Sequence, residues 1–229
     1  MTRVIKTTVA MQKGGSGKST LSRHGSVIMP RTALLDLDPQ GTTLRWLERR
    51  QQNGDFVPSA IRTTFTRAKE ALEIVDSAHA EIDHLIIDTP PEHDDQRTIR
   101  FAVQAADFVV LPCKPTPDDL EVLHETLKLV REYGKPYGIV LTMVRQNSRS
   151  LKSAKELVAR MCAEFGNGEL CPHTIGNRTD FVESVFFAKA VTEFAPTSVA
   201  AAEIRAVWDW IFERSVAAAK EKDGAVEHG

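Results

Sequence analysis

Short runs of consecutive apolar residues alternate along this chain with longer stretches whose apolar positions recur every three or four residues. The runs cover residues 4–10, 32–37, 84–88, 108–111 and 137–144, each bounded by Gly, Pro, Asp or Lys. Near-continuous hydrophobicity over so short a length suits strands covered on both faces. Helical periodicity fills residues 42–52, 66–78, 96–105, 117–133 and 148–165. Asp118 and Asp119 behind Pro117 mark a helix start, and Gly134 with Pro136 marks a stop. A last amphipathic helix over residues 198–219 places Ile204, Val207, Trp208 and Ile211 on one face. Strand and helix in strict alternation predict an α/β fold, a mostly parallel β-sheet flanked by helices on both faces. No internal repeat and no Gly/Pro/Ser-rich linker interrupts the pattern. Residues 1–219 are therefore read as one domain and the polar tail 220–229 as disordered.

Composition changes this picture little. Of 229 residues, 42% are hydrophobic and 26% charged, which suits a globular domain with one substantial core. A net charge of -2 gives the whole molecule no strong field toward nucleic acid or acidic lipid, so DNA contact would need a local basic patch or dimerisation. No run reaches the roughly 18 apolar residues of a membrane span. The first strand follows Met1 so closely that no signal peptide is expected, and a cytoplasmic protein is. Cys113, Cys162 and Cys171 form no CxxC and no Cys/His pair at metal-ligand spacing, so they read as buried thiols in a reducing compartment.

The chemistry concentrates in Val9-Ala-Met-Gln-Lys-Gly-Gly-Ser-Gly-Lys-Ser-Thr20, which follows one strand and opens a helix. That is the context of a phosphate-binding loop. Gly14, Gly15 and Gly17, with Ser16 between them, let backbone N–H groups turn inward around a phosphate chain. The helix N-terminus adds partial positive charge there, beginning at Lys18, Ser19 and Thr20. Lys18 is placed to reach β- and γ-phosphates and Ser19 to coordinate Mg²⁺. The first glycine of the strict G-x-x-x-x-G-K-[ST] pattern is replaced by Gln12, and a second lysine, Lys13, follows it. Two further strands end in carboxylates at the sheet edge where α/β folds gather ligands: Asp36 with Asp38, and Asp88. Asp88 suits Mg²⁺.

Lys13-Gly-Gly-Ser-Gly-Lys-Ser19 resembles the deviant Walker A motif of the ParA/MinD superfamily, P-loop NTPases of the SIMIBI type. Asp36-Leu-Asp-Pro-Gln40 resembles that family's D-x-D-P-Q, and His84-Leu-Ile-Ile-Asp-Thr-Pro-Pro91 its Walker B strand. Residues 106–117 resemble the strand that ends in a Pro-x-x-Pro turn near the base. Ile175-Gly-Asn-Arg178 resembles the C-terminal pattern of small partition ATPases. The resemblance implies an ATPase using ATP and Mg²⁺, with Lys13 reaching across an ATP-dependent homodimer and Asp38 polarising the attacking water. Asp36, Asp88 and Ser19 would serve the metal, and Pro112 and Met143 are candidate adenine contacts. It further implies partition of DNA by a dimer that binds DNA without sequence preference, and a centromere-bound ParB-type adaptor that stimulates slow hydrolysis. The ATP-bound form would be nucleoid-associated. Arg145, Arg149, Lys152, Lys155 and Arg178 are the basic residues available for a DNA patch.

Three alternatives stay open at this point. A MinD-like membrane role needs a C-terminal anchor, and the residues after Val216 offer no aromatic or leucine to insert; no membrane partner is expected. An iron–sulfur reductase needs cysteines placed to share a cluster between subunits, and these three do not fall there. An ATP-binding switch with negligible turnover differs from an ATPase only in degree. One departure from the family stands out. The stretch between Ser19 and Asp36 is shorter than usual and its helix carries Gly25, which costs about 1 kcal/mol against alanine and predicts a loosely docked helix.

Overall fold

A computed structural model describes residues 3–90 and 96–227; Pro91 of the Walker B resemblance lies outside them. Seven strands form a single sheet in the order β3-β2-β4-β1-β5-β6-β7, every neighbouring pair parallel. They are β1 (Ile5–Val9), β2 (Thr32–Asp36), β3 (Ser59–Arg62), β4 (His84–Asp88), β5 (Phe108–Cys113), β6 (Tyr137–Leu141) and β7 (Gly168–Leu170). Because side chains alternate along a strand, the sheet feeds two cores. Leu34, Ile86, Val110 and Val140 face one side, against Leu21 of α1 (Lys18–Ile28), Trp46 of α2 (Thr42–Asn53) and Ile204, Trp208 and Ile211 of α9 (Val199–Glu227). Leu35, Leu85 and Ile87 face the other, against α3 (Ala68–Ser77) and Ala102 of α4 (Gln96–Ala105). On that same side Leu111, Ile139 and Leu141 pack on α5 (Pro117–Glu132) and α6 (Arg149–Phe165). The expected fold class, a parallel sheet covered by helices on both faces, is the one observed.

Four elements escaped the pattern. β3 and β7 are short, half-exposed edge strands with too few apolar residues to register as runs. α7 (Thr179–Phe186) and α8 (Val191–Phe194) are too short for a periodicity. A 3-10 turn, Phe65–Arg67, precedes α3. The final helix continues past Ala219 to Glu227, because ion pairs hold its added turns: Lys222 Nζ lies 3.0 Å from Asp107 Oδ1 and Arg3 Nε 2.9 Å from Asp223 Oδ1.

Gly25 overturns the expectation of a loosely docked α1. A Cβ at Gly25 would stand 2.2 Å from the Trp208 ring, so the missing side chain is what lets α9 lie against α1. The Trp208 indole N–H then donates to the Leu21 carbonyl at 3.1 Å. Glycine's propensity penalty is outweighed by a close helix–helix contact that only glycine permits. A second clamp joins α2 to α8: buried Arg50 forks onto both Glu193 oxygens at 2.7 and 2.8 Å and onto the carbonyls of Phe56 and Ala188.

Candidate functional site

β1, β2 and β4 lie side by side, so their C-terminal ends meet. Val9 registers with Asp88, and Asp88 with Asp36, placing the phosphate loop beside two carboxylates. The loop leaves β1 after Val9 and turns through Gly15 (φ 71°) and Gly17 (φ 103°), a left-handed backbone that a side chain would strain. Gly14 has open space where a Cβ would stand, and both Gly14 and Gly15 are exposed. The Thr142 hydroxyl pins the loop by donating to the Ser16 carbonyl at 2.7 Å, and the Thr89 hydroxyl, just past β4, donates to the carbonyl of Val9 at the end of β1 at 3.0 Å.

Lys18 is buried, donating to the carbonyls of Met11 and Lys13 at 2.9 and 3.1 Å. Burial lowers its pKa, while Asp88 and Asp38 pull the other way. A cavity of about 250 Å³ opens above it, lined by Gly14, Gly15, Lys18, Ser19, Asp38 and Met143. Lys114, in the turn after β5, brings its ammonium within 3.5 Å of where a Gly15 Cβ would lie. The sequence reading gave Lys114 no role; it stands inside the quoted residues 106–117, but nothing in the pattern says that the turn folds back over the loop.

Asp36 and Asp88 are both fully buried, and Asp36 Oδ2 and Asp88 Oδ1 have no hydrogen-bond partner. Asp36 Oδ1 accepts from the Asp38 N–H at 3.0 Å, and Asp88 Oδ2 from the Thr43 hydroxyl at 3.2 Å. Arg23 Nε in turn donates to Thr43 Oγ1 at 3.3 Å. Burial, then the charge of Asp88, pushes Asp36 up to about 7. Burial likewise raises Asp88, against the Ser19 and Ser22 hydroxyls and Lys18. Two orphaned carboxylate oxygens near the Ser19 hydroxyl form an all-oxygen donor set at a dry position. That arrangement fits a hard divalent cation such as Mg²⁺. Asp38 sits higher, half-buried at the cavity, its Oδ1 accepting from the Gln40 N–H at 2.9 Å.

A second cavity of about 380 Å³ continues from the first across Gly17, Thr20 and Met143, bounded by Asn177, Phe181 and Arg49. Its size and mixed lining suit a nucleoside. Met143 reaches both cavities from a left-handed turn (φ 51°). Pro112 reaches neither: β5 runs on to Cys113, so Pro112 is a buried strand residue registered with Val140. Of the basic residues considered for DNA, Arg145, Arg149, Lys152 and Lys155 are exposed around the start of α6, while Arg178 is held by Glu203 at 2.6 and 2.8 Å. Lys13 does not enter the phosphate cavity; its ammonium pairs with Asp119 at 2.9 Å. Cys113, Cys162 and Cys171 are free thiols, the first and last buried.

Residues 7–190 match the model of the CobQ/CobB/MinD/ParA nucleotide binding domain. The chain is 26% identical over 161 residues to the maintenance of carboxysome distribution protein A of Halothiobacillus neapolitanus, covering 67% of this chain and 73% of that protein. It is 36% identical over 148 residues to the protein of the same name from Gloeobacter kilaueensis, covering 63% of this chain and 64% of that one, just under two thirds of its length. Among solved structures, the MinD cell division protein of Aquifex aeolicus superposes with a TM-score of 0.72 at 14% identity, covering 92% of this chain and 98% of that chain. The pNOB8 ParA bound to nonspecific DNA gives 0.65 at 15%, covering 92% and 99%. At these identities the structural likeness is one of fold.

Proposed function

Because the chain belongs to the CobQ/CobB/MinD/ParA nucleotide-binding family, we propose that it is an ATPase whose ATP-bound homodimer binds DNA without sequence preference and so partitions or positions a cargo. The observation that carries the reading is the cradle itself: a glycine-turned loop and buried Lys18 beside the orphaned oxygens of Asp36 and Asp88. Gly14, Gly15, Ser16, Gly17 and Thr20 hold the phosphates by backbone N–H groups, and Lys18 and Lys114 supply positive charge. Ser19, Asp36 and Asp88 hold Mg²⁺, which when bound offsets phosphate charge. Asp38, at the mouth of the cavity, orients the attacking water. Met143 covers the base. Lys13 leaves Asp119 to reach the partner's nucleotide. Hydrolysis of this kind needs positioning and charge, not a covalent intermediate.

Exposed Arg145, Arg149, Lys152 and Lys155 are available to DNA phosphates in the dimer, which would make the ATP-bound form nucleoid-associated. An adaptor protein of the ParB type stimulates turnover and release. The cargo has a second reading, favoured by the relatives from Halothiobacillus and Gloeobacter: their name concerns carboxysome distribution, so the object moved here is a protein body and not a replicon. A membrane cargo has less support. No helix of the described residues is long and apolar enough to cross a membrane, and α9 spends Trp208, Trp210 and Ile211 on the core.

The test is a gel shift on random-sequence duplex with ATP, ADP or no nucleotide, run beside Lys13→Ala. Binding only with ATP, lost in the variant, is the expected result. ATP-dependent dimerisation without DNA binding would keep the nucleotide switch and discard the DNA track.

A further inference from the structure

α1 and α2 enclose a groove of about 390 Å³ that continues from the nucleoside-sized cavity through Arg49 and Val185. Three guanidinium groups line it: Arg23 from α1, and Arg45 and Arg49 one turn apart on α2. Thr42 and Gln52 add polar groups, and Glu48 is the one acidic residue of the lining. Elsewhere Arg3, Arg31, Arg50, Arg100, Arg178 and Arg214 each pair with a carboxylate. These three do not. Arg23 donates to the Thr43 hydroxyl, Arg45 to the Gln40 carbonyl and Arg49 to the Val185 carbonyl, and among the described residues none forms an ion pair.

Like charges at i and i+4 on a helix repel, and Arg23 comes against them from below. Burial lowers Arg23; Asp88 and Asp36 behind it hold it up, and Arg49 and Arg45 add repulsion. A cluster of three guanidinium groups with one carboxylate in its lining and outward donors unspent on Arg45 and Arg49 is the arrangement that an anion relieves. Arg45 and Arg49 are exposed and spaced about 6 Å along the helix axis, so they address a row of charges and not one enclosed ion. Planar guanidinium forks match phosphate oxygens.

We propose that the Arg23–Arg45–Arg49 groove is a contact surface for the phosphodiester backbone of duplex DNA, on the α2 side of the nucleotide cavity and separate from the basic residues of α6. The proposal rests on the DNA-binding reading above and gives it an address.

The experiment measures binding of a fluorescent random-sequence duplex by anisotropy with ATP over a salt series, for the parent chain, Arg45→Ala, Arg49→Ala and the double variant. Light scattering on the same samples follows ATP-dependent dimerisation. Each single variant should reduce the slope of log affinity against log salt by about 1 and the double variant should bind about ten-fold or more weakly; Arg45→Ala, whose side chain lies outside the nucleoside-sized cavity, should dimerise as the parent does. Variants that dimerise and keep the parental slope would overturn the groove and leave DNA binding standing. A parent that dimerises yet binds no duplex would overturn the DNA reading and the groove with it. A parallel titration with inorganic phosphate separates the sources. Saturable phosphate binding lost in the double variant, with the duplex slope unchanged, would replace DNA by a small phosphate ligand.

Discussion

The Lys13 ammonium lies 2.9 Å from Oδ2 of Asp119, a carboxylate in the first turn of α5 that is only 3% exposed. The Thr116 hydroxyl donates to the same oxygen, so Asp119 is fixed from its own helix cap while it holds the lysine. In the proposed dimer Lys13 would have to leave Asp119 to reach the partner's nucleotide, so breaking this pair would be part of the cost of assembly. Asp119→Asn keeps the shape and removes the charge. That variant should dimerise at several-fold lower ATP concentration than the parent, read by light scattering. An unchanged or higher ATP requirement would show that the contact is no brake.

The two buried carboxylates make the nucleotide-free protein sensitive to pH. Asp36 ionises near 3.8 when unfolded and at about 7 when folded. Between those values the folded chain keeps a proton that the unfolded chain has released, so stability is greatest below the window and falls as pH rises through it. The melting temperature without nucleotide should therefore decline from about pH 4 to about pH 7. Asp36→Asn should flatten that decline, and Mg²⁺ affinity in the parent should rise as Asp36 ionises. A variant that declines as steeply as the parent would assign the effect to another group.

Lys18 is buried against the Met11 and Lys13 carbonyls, and the Lys114 ammonium lies 3.5 Å from where a Gly15 Cβ would stand. Lys18→Ala should abolish ATP binding in an equilibrium titration. Lys114→Ala should weaken ATP and ADP several-fold and leave adenosine unchanged, because the role proposed for Lys114 is toward phosphate. Equal loss for adenosine would point to a folding defect.

Gly25→Ala forces a methyl into the Trp208 ring. Overpacking of this kind costs about 1–3 kcal/mol, the opposite of the gain that helix propensity alone predicts. Chemical denaturation would measure it, and Trp208→Leu in the same chain should recover part of the loss by clearing the space. A more stable Gly25→Ala variant would mean that α9 stands off α1.

Much of this was legible before any coordinates. His84–Asp88 and Gln96–Ala105 fall where periodicity places them, because fully buried strands and strongly two-faced helices carry their environment in local composition. The loop glycines and the three aspartates were singled out by motif, and β2, β4 and β1 bring them to one sheet edge because parallel strands align their C-terminal ends. What stayed hidden depends on partners distant in sequence. Gly25 reads as a weak helix residue until Trp208, 183 positions later, is seen against it (208 − 25). Arg50 reads as one more surface arginine until Glu193 closes around it. The run over residues 108–111 ends two residues short of the strand, which continues to Cys113 and makes Pro112 a buried strand residue outside the two cavities. Lys13 was read for where it goes and not for where it rests.

The seating of α1 against Trp208 and Ile204 also sets an order of events during synthesis. Lys18, Ser19, Asp36, Asp88 and Lys114 all precede α9 in the chain, but the helix that carries Lys18 and Ser19 lacks the cover supplied by Trp208 and Ile204 until α9 has followed. Until then a growing chain leaves uncovered the surface of Leu21 and Gly25 that Trp208 closes, an interval in which a chaperone has something to hold. α1 is fully seated only once α9 has closed on it.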